Sequence, residues 1–353
     1  MKTVKMLFLV LLVALLPFQI ALAEEEKTIN FYEFHDEGIY KHWAYEEMEN
    51  LLYAGVMDGF ADADGRIHVK PDEPITRAQF VQMIVTALGL SNEGRTKNFS
   101  DVKQDEWYAD AISIAASAGF IDGHNGLFYP NHPITRAEIT KMLVLAFEKT
   151  VPFPSTNVKV FADVDHENWA EEFIRKASSV NIVNGHGITF SPYKFATRAE
   201  AFVMLHRAFK LEQSSVPEDS DLIAVLREYI TRENKLVETN QFAELSALGA
   251  EYGTGFYQAG GGDPKPFDWF YPAVDEAEIT IQIDDENLEF KILEKSDRFA
   301  KVQASGIAVT VQAKIPSQPE LNEDFTSRMD NGVYHLKKDS LSGKWKIYNY
   351  QDR

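Results

Sequence analysis

Apolar positions recur along this chain with two periods, helical in the first two thirds and alternating near the end. Behind Thr76 stand Phe80, Ile84, Ala87 and Leu88, and behind Thr135 stand Ile139, Met142, Leu143 and Phe147. That spacing predicts amphipathic helices with one buried face. Thr76 is followed three residues later by Gln79, Thr135 by Glu138 and Thr197 by Glu200. Such a pair forms a capping box, in which the threonine hydroxyl accepts from the third N–H and the acidic or amide side chain returns to the threonine N–H. All three threonines are therefore predicted helix starts.

The same order of landmarks precedes each start. Phe-x-Asp occurs at Phe34 to Asp36, Phe99 to Asp101 and Phe161 to Asp163, followed by Trp43, Trp107 and Trp169. Next come an amphipathic stretch and a turn: GVMDG ending at Gly59, GFIDG ending at Gly123 and NIVNG ending at Gly185. An x-x-Pro element closes on Pro71, Pro130 and Pro192 before the threonine. A period near sixty residues with this content predicts three copies of one helix-loop-helix unit. The first copy carries extra residues in ADADGRIH, a surface position where added length costs little. A calcium loop with Gly65 as its turn glycine would place Phe60 and Pro71 at the first and last ligand positions, and neither can ligate through a carboxylate.

Arg77, Arg136 and Arg198 sit one residue inside the helix starts, where the helix dipole disfavours a cation by ~0.3 to 1 kcal/mol. A cation repeated at that place implies an internal carboxylate partner or an external anion. A tryptophan beside a helix start serves either as core or as the wall of a cleft.

These ordered motifs closely resemble the S-layer homology family over residues 30 to 212. The resemblance implies a mainly α N-terminal half with three repeats in a pseudo-threefold bundle, at 30–93, 94–155 and 156–212. It implies non-covalent anchoring to the bacterial cell wall, by grooves that bind a pyruvylated secondary cell-wall polysaccharide linked to peptidoglycan. Carried over residue by residue, Arg77, Arg136 and Arg198 meet the pyruvate carboxylate, and Trp43, Trp107 and Trp169 stack or line the walls. Gly59, Gly123 and Gly185 allow close approach, while Asp36, Asp101 and Asp163 orient the arginines or accept sugar hydroxyls. On this reading, changing the three arginines to alanine abolishes wall binding and leaves the fold intact. Gln79 for glutamate, Val69 for the aromatic before proline and Asn181 for glycine depart from the repeat and make the grooves unequal.

Residues Glu212 to Asp221 are polar with a proline and read as a linker (213–221) to an α+β domain, 222–353. Leu222, Val225, Leu226, Tyr229 and Ile230 predict a helix capped by Ser220, and more helix is expected over Phe242 to Tyr257, ended by the Gly260 to Gly262 run. From about residue 277 the pattern alternates. Ile279, Ile281 and Ile283 predict a strand paired across DDEN with Leu288, Phe290 and Ile292. Phe299 to Ile315 reads as one long strand with a bulge at Gly306, and Val333 to Lys337 pairs with Trp345 to Tyr350. The element order, helices and then a curved antiparallel sheet, resembles the nuclear-transport-factor-like cone fold.

Composition narrows the function. The 353 residues are 45% hydrophobic, enough for two or three packed units. Lys2 and Lys5 precede an apolar run that ends on Ala21, Leu22 and Ala23, so a secretory leader over 1–23 is expected, with no membrane span in the mature chain. With no cysteine there is no disulfide or thiolate metal site. The formal charge of −19, or −21 without the two leader lysines, argues against nucleic acid as a partner. No cofactor motif or catalytic triad spacing is present. His335 lies in a predicted strand, Asp284, Asp285 and Glu286 read as turn residues, and PFDWFYP (Pro266 to Pro272) lines a pocket or covers the open end of the sheet. The expectation is a secreted, wall-bound protein that displays a C-terminal interaction module, with a wall-anchored enzyme as the alternative.

Overall fold

The computed structural model describes residues 28–91, 97–261, 278–314, 323–328 and 332–352. The expected leader and the aromatic stretch 266–272 lie outside these residues.

Each of the three units gives two helices. They are α1 (Tyr45–Tyr53) and α2 (Arg77–Leu88), α3 (Ala109–Ala118) and α4 (Arg136–Phe147), and α5 (Glu171–Ser179) and α6 (Arg198–Lys210). Thr76, Thr135 and Thr197 have extended backbone, and each closes a two-way capping box with Gln79, Glu138 or Glu200. The dihedral change at the threonine and the paired side-chain bonds satisfy helix-start donors that would otherwise be buried without a partner. In the first unit the extra residues form a small hairpin, β1 (Phe60–Ala61) with β2 (Ile67–His68).

The units are joined cyclically. Helix α2 packs on α3, α4 on α5 and α6 on α1, so each second helix leans on the first helix of the next unit. At the helix starts the chain segments meet in a closed ring of three backbone hydrogen bonds. Ile75 N–H donates to Ala196 O (3.2 Å), Ala196 N–H to Ile134 O (2.9 Å) and Ile134 N–H to Ile75 O (3.0 Å). Ile75, Ile134 and Ala196 are fully buried, as are Phe80, Phe128, Phe147, Phe190, Phe202 and Phe209 in the core around them. One continuous apolar cluster therefore runs through all three units.

Among the described residues the C-terminal half contains α7 (Asp219–Glu238), α8 (Leu245–Tyr252) and seven strands. Ser220 lies inside α7 and does not cap it; Glu218 holds the cap position without a side-chain bond. Strands β4 (Glu289–Lys295), β5 (Phe299–Ser305), β8 (Gly332–Lys338) and β9 (Trp345–Gln351) make one antiparallel sheet in that order. Strands β3 (Glu278–Asp284), β6 (Ala308–Lys314) and β7 (Glu323–Arg328) make a second, ordered β3-β6-β7.

Two expectations about pairing are corrected here. The strand beginning at residue 278 pairs with β6, Ile281 opposite Val311, and not across DDEN with β4. The long strand predicted over Phe299 to Ile315 is two strands, broken at Gly306, where the chain passes from one sheet to the other. Gly306 has φ of +88°, and a side chain there would overlap the Asn287 carbonyl. The helical N-terminal half and the antiparallel C-terminal half are as expected.

Strands β8 and β9 of the larger sheet are buried on both faces, while one face of the edge strand β4 is exposed. Ala300, Val302, Leu336 and Ile347 face Leu222, Leu226 and Leu248 of α7 and α8. Phe299 and Tyr348, on the alternate positions, join the core of the N-terminal head, with Phe299 against Phe209 (5.3 Å between ring centres). The segment read as a linker is held down where it leaves the head. Asp297 accepts from Ser214 and Ser215, and Arg298 bridges Glu212 (3.0 Å) to the Leu88 carbonyl (3.2 Å).

Candidate functional site: three composite grooves

Each of the three arginines at the helix starts reaches into the following unit. Arg77 donates through Nε to Phe128 O (2.8 Å) and through Nη1 to Glu138 (2.6 Å). Arg136 repeats this with Phe190 O (2.9 Å) and Glu200 (2.8 Å). Arg198 closes the circle on the first unit with Val69 O (2.6 Å) and Asp58 O (3.3 Å). The guanidinium planes lie on aromatic rings, Arg77 on Phe128 (4.6 Å) and Arg136 on Phe190 (4.7 Å). Where Val69 replaces that aromatic, Phe60 of the inserted hairpin takes over, 4.5 Å from Arg198.

All three arginines are buried, with Arg77 the most accessible at 9%. They cross-link the units, so a loss of wall binding on their removal would not by itself separate ligand contact from folding. For Arg77 and Arg136 the pairing also explains the cation at a helix start, because Coulomb attraction to the carboxylate of the next unit offsets the unfavourable dipole. Burial pushes the Arg77 guanidinium down, with Glu138 and Asp101 opposing. Burial pushes Glu200 up, but Arg136, the Thr197 N–H and Lys194 outweigh it and leave the carboxyl below its ordinary range.

Three cavities open beside these arginines, and each draws on all three units. The first, about 560 Å³, is lined by Arg77 of unit one, Asp122, Gly123 and Glu138 of unit two, and Trp169 of unit three. The second, about 320 Å³, is lined by Arg136 of unit two, Gly185 and Glu200 of unit three, and Trp43 of unit one. The third, about 390 Å³, is lined by Arg198 of unit three, Asp58, Gly59 and Gln79 of unit one, and Trp107 of unit two.

Trp43, Trp107 and Trp169 are 62%, 60% and 49% exposed, so of the two roles left open by their position they line cleft walls. Gly123 and Gly185 lie where a side chain would strike the Phe99 or Phe161 ring and come 2.5 Å from the Leu127 or Thr189 carbonyl. Gly59 is crowded in the same way by Ile67.

The aspartates are placed differently. Asp36 accepts from the N–H groups of Val69 and Lys70 (2.7 and 2.8 Å), Asp101 from Phe128 and Tyr129, and Asp163 from Phe190 and Ser191. Each carboxylate thus fastens the x-x-Pro strand of its own unit, and none is among the groove-lining residues. Glu138 and Glu200, expected only as capping residues, line grooves as well. Their double role was hidden because the arginine partner comes from the preceding unit.

Among the described residues no helix is long and apolar enough to cross a membrane. The S-layer homology domain model matches residues 38–81 and 98–140 of this chain. The Surface-layer 125 kDa protein of Lysinibacillus sphaericus is 31% identical over 221 residues, which cover 58% of this chain and 18% of that protein. Exoglucanase XynX of Acetivibrio thermocellus is 31% identical over 51% of this chain and 16% of its own length. Amylopullulanase of Thermoanaerobacterium thermosulfurigenes is 33% identical over 53% of this chain and 10% of its own length. The chain thus spans less than a fifth of the length of each of these relatives. The third unit repeats the capping box, arginine and glycine turn of the two matched ones. With the family model on two units and surface-layer and cell-wall proteins among its relatives, the chain carries S-layer homology domains, which supports a secreted protein held at the cell surface.

Proposed function

We propose that the three grooves anchor the protein by binding an acidic sugar of the wall, the pyruvylated end of a secondary cell-wall polysaccharide linked to peptidoglycan. The observation that carries this is the repeated meeting of an exposed tryptophan, a glycine turn and an arginine in one cavity, each from a different unit. The indole offers a stacking face for the sugar ring, the glycine backbone permits close approach, and the guanidinium matches a carboxylate. Three weak contacts on one rigid head reinforce one another, since the second forms at the effective concentration set by the first. The C-terminal half is then held at the wall as an interaction or ligand-binding module.

The test is sedimentation of the full chain with purified cell walls, before and after mild acid removal of pyruvate. The triple variant Trp43→Ala, Trp107→Ala, Trp169→Ala is expected to stay in the supernatant with an unchanged circular dichroism spectrum. Equal sedimentation of variant and parent, or indifference to pyruvate, would remove the grooves from the mechanism.

A second reading, catalysis by the C-terminal half on wall glycan, has one observation in its favour. Tyr257 donates to Tyr229 (2.6 Å) and Tyr229 to Glu233 (2.6 Å), and burial pushes Glu233 up to about 7. A carboxyl poised near neutrality is suited to acid–base chemistry. Release of reducing ends from wall glycan, lost in Glu233→Gln, is the outcome this reading requires.

A further inference from the structure

Resting on the reading of the grooves as acidic-sugar sites, we infer that the third groove, between Arg198 and Gln79, is the primary anion site and that Gln79 sets this rank. In the other two grooves the arginine fork is already engaged by a carboxylate. Glu138 and Glu200 use one oxygen, Oε2, to accept from the N–H of Thr135 and Thr197, and the other, Oε1, to accept from Arg77 and Arg136. A ligand carboxylate entering there meets a fixed negative charge and must share or displace it.

Gln79 breaks this scheme without disturbing the fold. Its amide oxygen accepts from the Thr76 N–H (3.0 Å), so the capping box closes as in the other units. No charge is left over for Arg198. Among the described residues Arg198 has only carbonyl acceptors, at Nε and Nη2, and no carboxylate at ion-pair distance; Glu73 and Asp36 act on it from further away. A guanidinium carries five donors in a fixed fork, and Arg198, like Arg77 and Arg136, uses Nε and one Nη group on the protein, but it alone spends both on carbonyls. Burying a cation beside carbonyls alone is costly, and an incoming carboxylate repays that cost with charge-assisted bonds.

The surroundings fit an anionic sugar. Trp107 stands on the rim of the cavity, and Phe60 backs the guanidinium. Asp58 also lines this groove, as Asp122 does the first, whereas the second has the neutral Asn184 at that place; the carboxylate on the arginine, not this turn residue, is what sets the third groove apart from both. The second groove gathers further cations, with Arg207 on its wall and Lys194 3.7 Å from Glu200. They add attraction at long range while leaving Glu200 in place on the arginine.

Isothermal titration of the full chain with pyruvate-bearing oligosaccharide of the wall polymer, released by glycosidase digestion so that the acid-labile ketal survives, decides the matter. The parent is expected to show one tight site per chain, Gln79→Glu to weaken it by at least about ten-fold, and Glu200→Gln to add a second tight site. Both variants keep a residue able to complete the capping box, and their melting curves check it. Three equal sites in the parent, or unchanged affinity in Gln79→Glu, overturns the ranking while leaving the grooves as glycan sites. No heat of binding by the parent removes the glycan reading itself, and the ranking with it.

Discussion

Asn50 Oδ1 stands 3.2 Å from His335 Nδ1, a contact between residues 285 positions apart that joins the first helix of the head to the C-terminal sheet. Tyr348 donates to the same oxygen at 3.2 Å, and the Asn50 amide nitrogen is fixed on Glu46 O at 2.7 Å. Asn50, His335 and Tyr348 are all buried. Replacing Asn50 by alanine takes a partner from Tyr348 and from His335, which keep between them only a 3.4 Å contact, at ~1 to 3 kcal/mol for each interior group left short. Asn50→Ala is expected to destabilise the whole chain by about 2 to 4 kcal/mol in urea denaturation. A change below about 0.5 kcal/mol, the size seen at surface positions, would show that this seam is not cooperative with the rest.

The same seam makes stability depend on pH. Burial, with Lys301 beside it, pushes His335 down to about 4, and burial with Lys210 and Lys301 pushes His206 down to about 3. Both lie below the ordinary histidine value of about 6.5, so the unfolded chain binds protons before the folded one does. The stability contributed by the neutral imidazoles is complete above about pH 6.5 and is lost as pH falls toward 4 and 3. His335→Gln is expected to flatten that decline, seen as melting temperature against pH between 7 and 4. An identical slope in the variant would assign the acid sensitivity elsewhere.

Gly123→Ala places a methyl group against the Phe99 ring and the Leu127 carbonyl, and the carbonyl belongs to backbone that cannot swing away. A loss of about 1 to 3 kcal/mol is expected from overpacking. Gly126→Ala is a useful partner, since a side chain there has open space around it and only the positive φ of +79° opposes it. Equal destabilisation by both changes would mean that backbone conformation, not crowding, governs the turn.

The arginines and the tryptophans of the grooves should separate cleanly by stability. Arg136→Ala removes one partner of a buried pair and is expected to cost about 3 to 5 kcal/mol. Trp169→Ala, half in water, is expected to change the denaturation midpoint by no more than about 0.5 kcal/mol. If Trp169→Ala unfolded the head, the exposed placement of the indole would be incompatible with the result.

How much of this could be read in advance depends on the range of each interaction. The capping boxes were legible because Thr135 and Glu138 are three residues apart and the bond is local. The bond from Arg77 to Glu138 spans 61 positions, and the repeat pattern could name both residues but not join them. The tryptophans were ambiguous because a residue beside a helix start can turn either way. Asp101 was assigned to a ligand or an arginine, yet its carboxylate serves two N–H groups 27 and 28 positions onward. In the sheets, alternation marked Ile281 and Ile283 as strand but could not choose a neighbour. Asp284 to Asn287 looked like a hairpin turn, while Gly306, read as a bulge, is where the chain changes sheet.

The ring of hydrogen bonds among Ile75, Ile134 and Ala196 fixes the valency of the head. Every donor in it is matched by an acceptor from another unit, so no open edge remains on which a fourth copy could add. Because each groove borrows from all three copies, a fragment with two has no complete groove, and a longer array would have to form a second circle. A chain cut between units and rejoined at its ends would, by the same logic, rebuild all three grooves unchanged.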